Sequence, residues 1–219
     1  LFLLSELRET RRIPDVPIYL DSPMAISATE IFSRHTDDHK LTRDQCERMC
    51  SVARYSHTPD ESRAIDRDGQ PKVIVSASGM ATGGRVLHHL RRFLPDERST
   101  VLLVGYQAAG TRGRALLERT DELKIHGQYV AVRARIRQIE GLSAHADYSE
   151  ILSWLEQSKC APRHAYVTHG EPNAADAMRT ATTRQLRLDS QRARAGRVFR
   201  DHLEVAQQVV AAQQGQLDP

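Results

Sequence analysis

Lys72-Val73-Ile74-Val75-Ser76-Ala77-Ser78-Gly79-Met80-Ala81-Thr82-Gly83-Gly84-Arg85 is the stretch on which the fold turns. Val73-Ile74-Val75 is a short apolar run of the kind buried inside a sheet. The small residues from Ser76 to Gly84 make a loop, and Arg85 to Phe93 is helical. The plan returns at Val101-Leu102-Leu103-Val104, followed by a loop from Gly105 to Gly113 and a helix from Arg114 to Arg119. Strand, glycine-rich loop and helix, repeated, predict βαβ units and a parallel sheet.

Upstream, residues 1–12 read as a helix and Pro17 to Asp21 as a short strand. Ser22-Pro23 then opens a helix, because serine is a good cap and proline suits the first helical position. Ala28, Ile31, Phe32 and His35 continue it on one face. Residues 36–71 are polar and weakly periodic, and read as a helix followed by a loop. Downstream the texture changes near Asp121. Val130 to Ile139 alternates, with Val132, Ala134 and Ile136 on one face and Arg133, Arg135 and Arg137 on the other. That pattern predicts an antiparallel-type strand with a solvated basic face. A domain boundary is placed near residue 125, giving domains 1–125 and 126–219. Beyond it come a helix (Tyr148 to Ser158), a strand (Ala165 to Thr168) and a second helix (Pro172 to Leu186). The Gln- and Ala-rich tail from Gln207 is expected to fray.

The 219 residues suffice for one large domain or two small ones, and 40% hydrophobic with 27% charged residues reads as globular. No apolar run approaches the roughly 18–20 residues of a membrane span. Leu1-Phe2-Leu3-Leu4 gives way at once to polar residues, which is not a signal peptide. The expected location is the cytoplasm, and a first residue other than Met suggests a fragment. A net charge of +3 does not by itself announce a nucleic-acid binder. Arginine greatly outnumbers lysine, which suits phosphate, although biased base composition explains it equally well. Cys46, Cys50 and Cys160 read as reduced thiols with no metal or disulfide role.

Two histidines are candidates for chemistry. In Gly141-Leu142-Ser143-Ala144-His145-Ala146-Asp147, Asp147 and Glu150 form a capping box, so His145 lies just before a helix N-terminus. Free amides and the helix dipole attract phosphate there, and a histidine could protonate a leaving oxygen. A hydrogen-bonded turn histidine is the simpler local reading. In Tyr166-Val167-Thr168-His169-Gly170-Glu171-Pro172, His169 follows a strand end, where α/β folds place ligands. Neutral imidazole is a standard zinc ligand, but no His-x-His or His-x-x-x-His pair accompanies it. His88-His89 point to different sides of their helix and make a poor metal pair. The glycine-rich loops could bring amides and the hydroxyls of Ser76 and Ser78 against an anion, with Gly79 allowing close approach. Tight turns explain them equally well. They fit neither a nucleotide-triphosphate loop nor a dinucleotide fingerprint, and there is no nucleophile elbow.

The order of these motifs carries more than any one of them. Leu20-Asp21-Ser22-Pro23-Met24-Ala25, then Ser76 to Arg85, Gly105-Tyr106-Gln107 with Gly110-Thr111 and Gly113-Arg114, Ser143 to Asp147, and His169-Gly170-Glu171 follow in succession. Over residues 14 to about 180 this resembles the β-CASP family of metallo-β-lactamase-fold nucleases. The resemblance implies an α/β fold: a parallel-sheet β-CASP domain, then an α+β segment completing a metallo-β-lactamase sandwich.

The resemblance also implies a zinc-dependent ribonuclease, an endonuclease with 5′-exonuclease activity left open. In it His145 matches the motif B histidine that contacts the scissile phosphate, and His169 the motif C histidine that ligates one of two zinc ions. Ser76, Ser78, Gly79, Ser143, Arg133 and Arg135 would hold the substrate. The implied partner is RNA, with no membrane, and a homodimer is left open. The His-x-His-x-Asp-His motif and the other zinc ligands are absent, so this chain alone is expected to hold zinc weakly or not at all and to cleave nothing. A non-catalytic RNA-binding paralogue and a DNA nuclease of the same family remain alternatives, the latter disfavoured by His169.

Overall fold

The computed structural model describes residues 1–142, 145–157, 164–168, 170–186 and 189–192. Ser143, Cys160, His169 and the tail from Gln207 lie outside the described residues, and so do the readings made for them. The chain divides into two units, Leu1–Ile139 and Glu140–Pro219.

In the first unit, α1 (Phe2–Glu9) precedes β1 (Ile18–Leu20), the central strand of a parallel sheet ordered β2-β1-β3 with β2 (Arg54–Tyr55) and β3 (Val73–Val75). Flanked on both edges, Ile18 and Leu20 are buried and join Ile26, Val52 and Ala53 in one core. Helix α2 (Pro23–Arg34) starts as predicted: the extended Ser22 accepts the Ala25 N–H at 3.3 Å, with Pro23 in the first helical position. Residues 36–71 hold more than a helix and a loop. Helices α3 (Arg43–Ser51) and α4 (Pro59–Arg67) each open on a capping box, Thr42 with Gln45 and Thr58 with Glu61, and β2 lies between them. Reciprocal caps satisfy amides at both helix starts, which corrects the sequence-based reading.

After α5 (Val86–Phe93), strand β4 (Thr100–Val104) pairs in parallel with β7 (Arg135–Ile139), and α6 (Arg112–Leu117) follows the second glycine-rich loop. The ladders containing β3 and β4 are parallel, as expected, but the two strands lie in separate sheets. The predicted strand from Val130 to Ile139 is two strands. β6 (Gln128–Ala131) pairs antiparallel with β5 (Glu122–Ile125) around His126-Gly127, both at positive φ, and β7 then leaves for β4. The break has a physical cause: the N–H groups of Arg133 and Ala134 both go to the Leu94 carbonyl, at 2.8 and 2.9 Å. β7 is therefore parallel, not antiparallel. A second core of Leu87, Leu90, Leu94, Leu103, Leu116, Leu123, Ile125 and Val130 lies beneath these elements.

In the second unit, α7 (Tyr148–Glu156) and α8 (Pro172–Leu186) accompany β8 (His164–Val167), which pairs in parallel with β9 (Asp189–Arg192). Ile151, Leu152, Val167, Ala175 and Met178 form its core. Among the described residues no helix is long and apolar enough to cross a membrane.

Candidate nucleic-acid interface

Asp21 directly follows β1 and has a fully buried side chain. Its Oδ1 accepts Arg85 Nη1 at 2.6 Å, and its Oδ2 accepts the Ser62 hydroxyl and faces His89 Nε2 at 2.8 Å. The other ring nitrogen of His89 lies 2.6 Å from Asp66 Oδ1. With a carboxylate oxygen facing each ring nitrogen, both nitrogens are placed to donate, an arrangement that favours the imidazolium. Burial pulls the His89 pKa down, but the bonds and charges of Asp66 and Asp21 outweigh it and leave the value raised. For Asp21, burial pushes upward while Ser62, Arg85 and His89 prevail and lower it. Arg85 also donates to the carbonyls of Ser56 at 2.8 Å and His57 at 2.9 Å.

This buried cluster is the feature that sequence reasoning missed. One signal was present: Ser22 caps α2, so Asp21 just before it is not needed there, and a carboxylate ending a buried strand requires partners. His88 and His89 do not share a site. His88 is exposed and its ring lies 4.7 Å from that of His126.

The Asp21 cluster braces the first glycine-rich loop, because Ser76 Oγ donates to the Asp21 carbonyl at 2.7 Å. Ser78 Oγ accepts the Thr82 N–H at 3.3 Å and lies 2.9 Å from Thr82 Oγ1, while Gly79 is exposed. The second loop binds the first through its carbonyls. Gln107 Nε2 donates to Gly79 O at 3.1 Å, Gly113 N to Met80 O at 3.0 Å, and Arg112 Nη1 to Ala81 O and Thr82 O at 3.4 and 3.3 Å. Both loops leave the carboxyl ends of parallel strands, β3 and β4.

Arg133, Arg135 and Arg137 are exposed, whereas Ala134 is buried and Val132 and Ile136 pack against the core. The alternation read in the sequence is a real two-faced pattern, although the strand pairing differs.

In the second unit His145 is exposed, two residues before the cap of α7. Asp147 Oδ1 accepts the Ser149 hydroxyl at 2.6 Å and the Glu150 N–H at 2.9 Å, and Glu150 Oε2 accepts the Asp147 N–H at 2.8 Å. The Ser149 and Glu150 bonds hold the Asp147 carboxyl below its ordinary value. Asp147 is thus committed to the helix start, as its spacing predicted.

Parallel strands with glycine-rich loops at their carboxyl ends define an α/β protein of the kind that places ligands there. Comparison with known proteins sharpens that class. A family model described as the Beta-Casp domain matches residues 1–116, and one described as a Zn-dependent metallo-hydrolase RNA specificity domain matches residues 129–189. The chain belongs to the β-CASP family.

Ribonuclease TTHA0252 of Thermus thermophilus is 37% identical over 167 residues, 73% of this chain and 38% of that protein. An RNase J-like protein of Methanocaldococcus jannaschii is 32% identical over 173 residues, covering 78% and 39%. Transcription termination factor FttA of Methanosarcina mazei is 26% identical over 202 residues, covering 87% and 32%. The chain spans between 32% and 39% of the length of these relatives. The family description implies a metal. Among the described residues no group of three or more His, Cys, Asp or Glu side chains could hold one, and His169 lies outside them. The described residues alone do not make a metal site.

Proposed function

We propose that this chain is part of a zinc-dependent ribonuclease, supplying the surface that grips the RNA and two of the histidines that act on it. What carries the reading is the match to a domain described by its RNA specificity, over the residues that include His145 and His169. His145, just before the α7 N-terminus, would contact the scissile phosphate and protonate the leaving oxygen. His169 would be one zinc ligand, the remaining ligands coming from residues outside this sequence. Two ions are expected, and zinc supplies an activated water and charge stabilisation when bound. Ser76, Ser78, Gly79 and Ser143 would face the phosphates, with Arg133 and Arg135 extending the grip along the strand. Arg85 is not in that set, since Asp21 and two carbonyls occupy its guanidinium. A cytoplasmic location fits this role.

The test is cleavage of matched single-stranded RNA and DNA by the longer protein that contains this chain, with and without zinc. Zinc-dependent cleavage of RNA is expected, falling by roughly 10²–10⁴ in His145→Ala and accompanied by zinc loss in His169→Ala. No cleavage, or an equal preference for DNA, overturns the reading. The 219-residue chain by itself should bind RNA without cutting it, and tight retention of two zinc ions by it would refute the proposed division of ligands.

A further inference from the structure

Gln107 is 1% exposed, and its two amide ends have opposite fates. Nε2 donates to Gly79 O at 3.1 Å and reaches Gly105 O at 3.4 Å, so one amide group spans both glycine-rich loops. Oε1 is buried and has no hydrogen-bond partner among the described residues. A buried orphan acceptor costs stability, so Gln107 is not explained as a residue that merely fills space. An apolar side chain of like size would fill it at less cost. The position of Gly113 is tied to the same contact: a Cβ there would stand 1.7 Å from Gln107 Oε1 and 2.7 Å from its Cδ.

The bonds have a direction. Gln107, Gly113 and Arg112 all donate to carbonyls of the first loop, those of Gly79, Met80, Ala81 and Thr82. The second loop therefore engages the negative ends of these peptide dipoles, while the N–H groups of Gly79, Met80, Gly83 and Gly84 are left without an acceptor among the described residues. Peptides turned in this way make an anion-binding concavity. Turned the other way, the same residues would repel a phosphate.

We infer that Gln107 is a positioning residue, which sets the orientation of the Gly79 peptide so that the first loop presents its N–H groups to a polyanion. The inference rests on the RNA-binding reading above and adds to it the residue that gives the loop its polarity. Gln107 is buried and acts through the loop it ties, so its effect falls on affinity and leaves the chemical step alone.

Two variants separate the tie from the packing. Gln107→Met keeps the volume, removes the donor and also removes the orphan oxygen, so it should fold at least as well. Gln107→Glu keeps the shape and replaces the donor by an acceptor facing two carbonyls. Amide hydrogen exchange at Ala81 and Thr82, the first-loop amides that have acceptors, and the affinity for a single-stranded oligoribonucleotide, read by fluorescence anisotropy, are measured on both. Loop exchange is expected to rise in both variants and affinity to fall roughly tenfold, the scale of one or two lost hydrogen bonds. In the longer protein KM should rise with kcat unchanged. Unaltered loop exchange and affinity in Gln107→Met overturn the inference, because packing alone would then suffice. If the unsubstituted protein binds no RNA at all, the functional reading fails instead, and the exchange data decide the tie on their own.

Discussion

His89 bridges Asp21 and Asp66 through both ring nitrogens, at 2.8 and 2.6 Å. That contact joins the end of β1 to α4 and α5, and its charge state sets a pH dependence. The His89 pKa is raised in the folded protein, so its stabilisation is complete below the ordinary imidazole value of about 6.5. It is lost as pH rises through the raised folded value. The Asp21 pKa is lowered, so its share is present above the ordinary carboxylate range and is lost as pH falls through the lowered value. Denaturant midpoints between pH 5 and 10 should decline on the alkaline side, and His89→Gln should flatten that decline. An alkaline limb identical in the variant would refute the assignment. His89→Ala should cost on the order of 3–5 kcal/mol at neutral pH, the scale for removing one member of a buried charged network.

Gly113→Ala is expected to destabilise by about 1–3 kcal/mol, the usual cost of overpacking a filled site, because its Cβ would collide with Gln107. Removing the obstacle should relieve it. The double variant with Gln107→Ala should therefore be less destabilised than the sum of the two single changes. Thermal unfolding of all four proteins measures that coupling, and strict additivity would place the collision elsewhere.

The cap of α7 separates an amide-accepting role for Asp147 from one needing its charge. Asp147→Asn keeps an oxygen for the Glu150 N–H, whereas Asp147→Ala does not. Amide exchange in the first turn of α7 should accelerate in the alanine variant and stay near normal with asparagine. Equal acceleration in both would show that the charge matters more than the cap.

The arginine stripe makes a quantitative forecast. If Arg133, Arg135 and Arg137 each neutralise an RNA phosphate, each alanine substitution should reduce the slope of log affinity against log salt by about 0.7. The exposure of all three side chains permits such contacts. A salt slope unchanged in the triple variant would make the stripe an ordinary solvated strand face.

Elements that announce themselves locally were legible in the sequence. Ser22-Pro23 and Pro172 mark helix starts by rules that need no tertiary context, and α8 runs from Pro172 to Leu186 as read. The basic and apolar faces around Ala134 were also legible, because burial follows side-chain alternation. Pairing was not. Nothing local says that Leu94 offers its carbonyl to two consecutive amides, yet that contact divides one apparent strand into two and sends β7 to a parallel partner. Of helices α3 and α4 only one was read in residues 36–71, although Thr42 with Gln45 and Thr58 with Glu61 mark both starts, because their polar sequences blur a reading led by apolar periodicity. At the candidate site, the glycine-rich loops could be found from composition. The Asp21, Asp66 and His89 contacts could not, since they join residues more than 20 positions apart.

The ladder between β4 and β7 has a practical corollary. β4 lies within the span of the first family description, and its mate Arg135–Ile139 lies within the second. Trimming the gene at the border between those descriptions would orphan β4, whose Leu102 and Val104 are half exposed even when it is paired. A bare, apolar strand margin invites self-association. Recombinant pieces should accordingly run past Ile139, or expression will deliver aggregates where an autonomous module was intended.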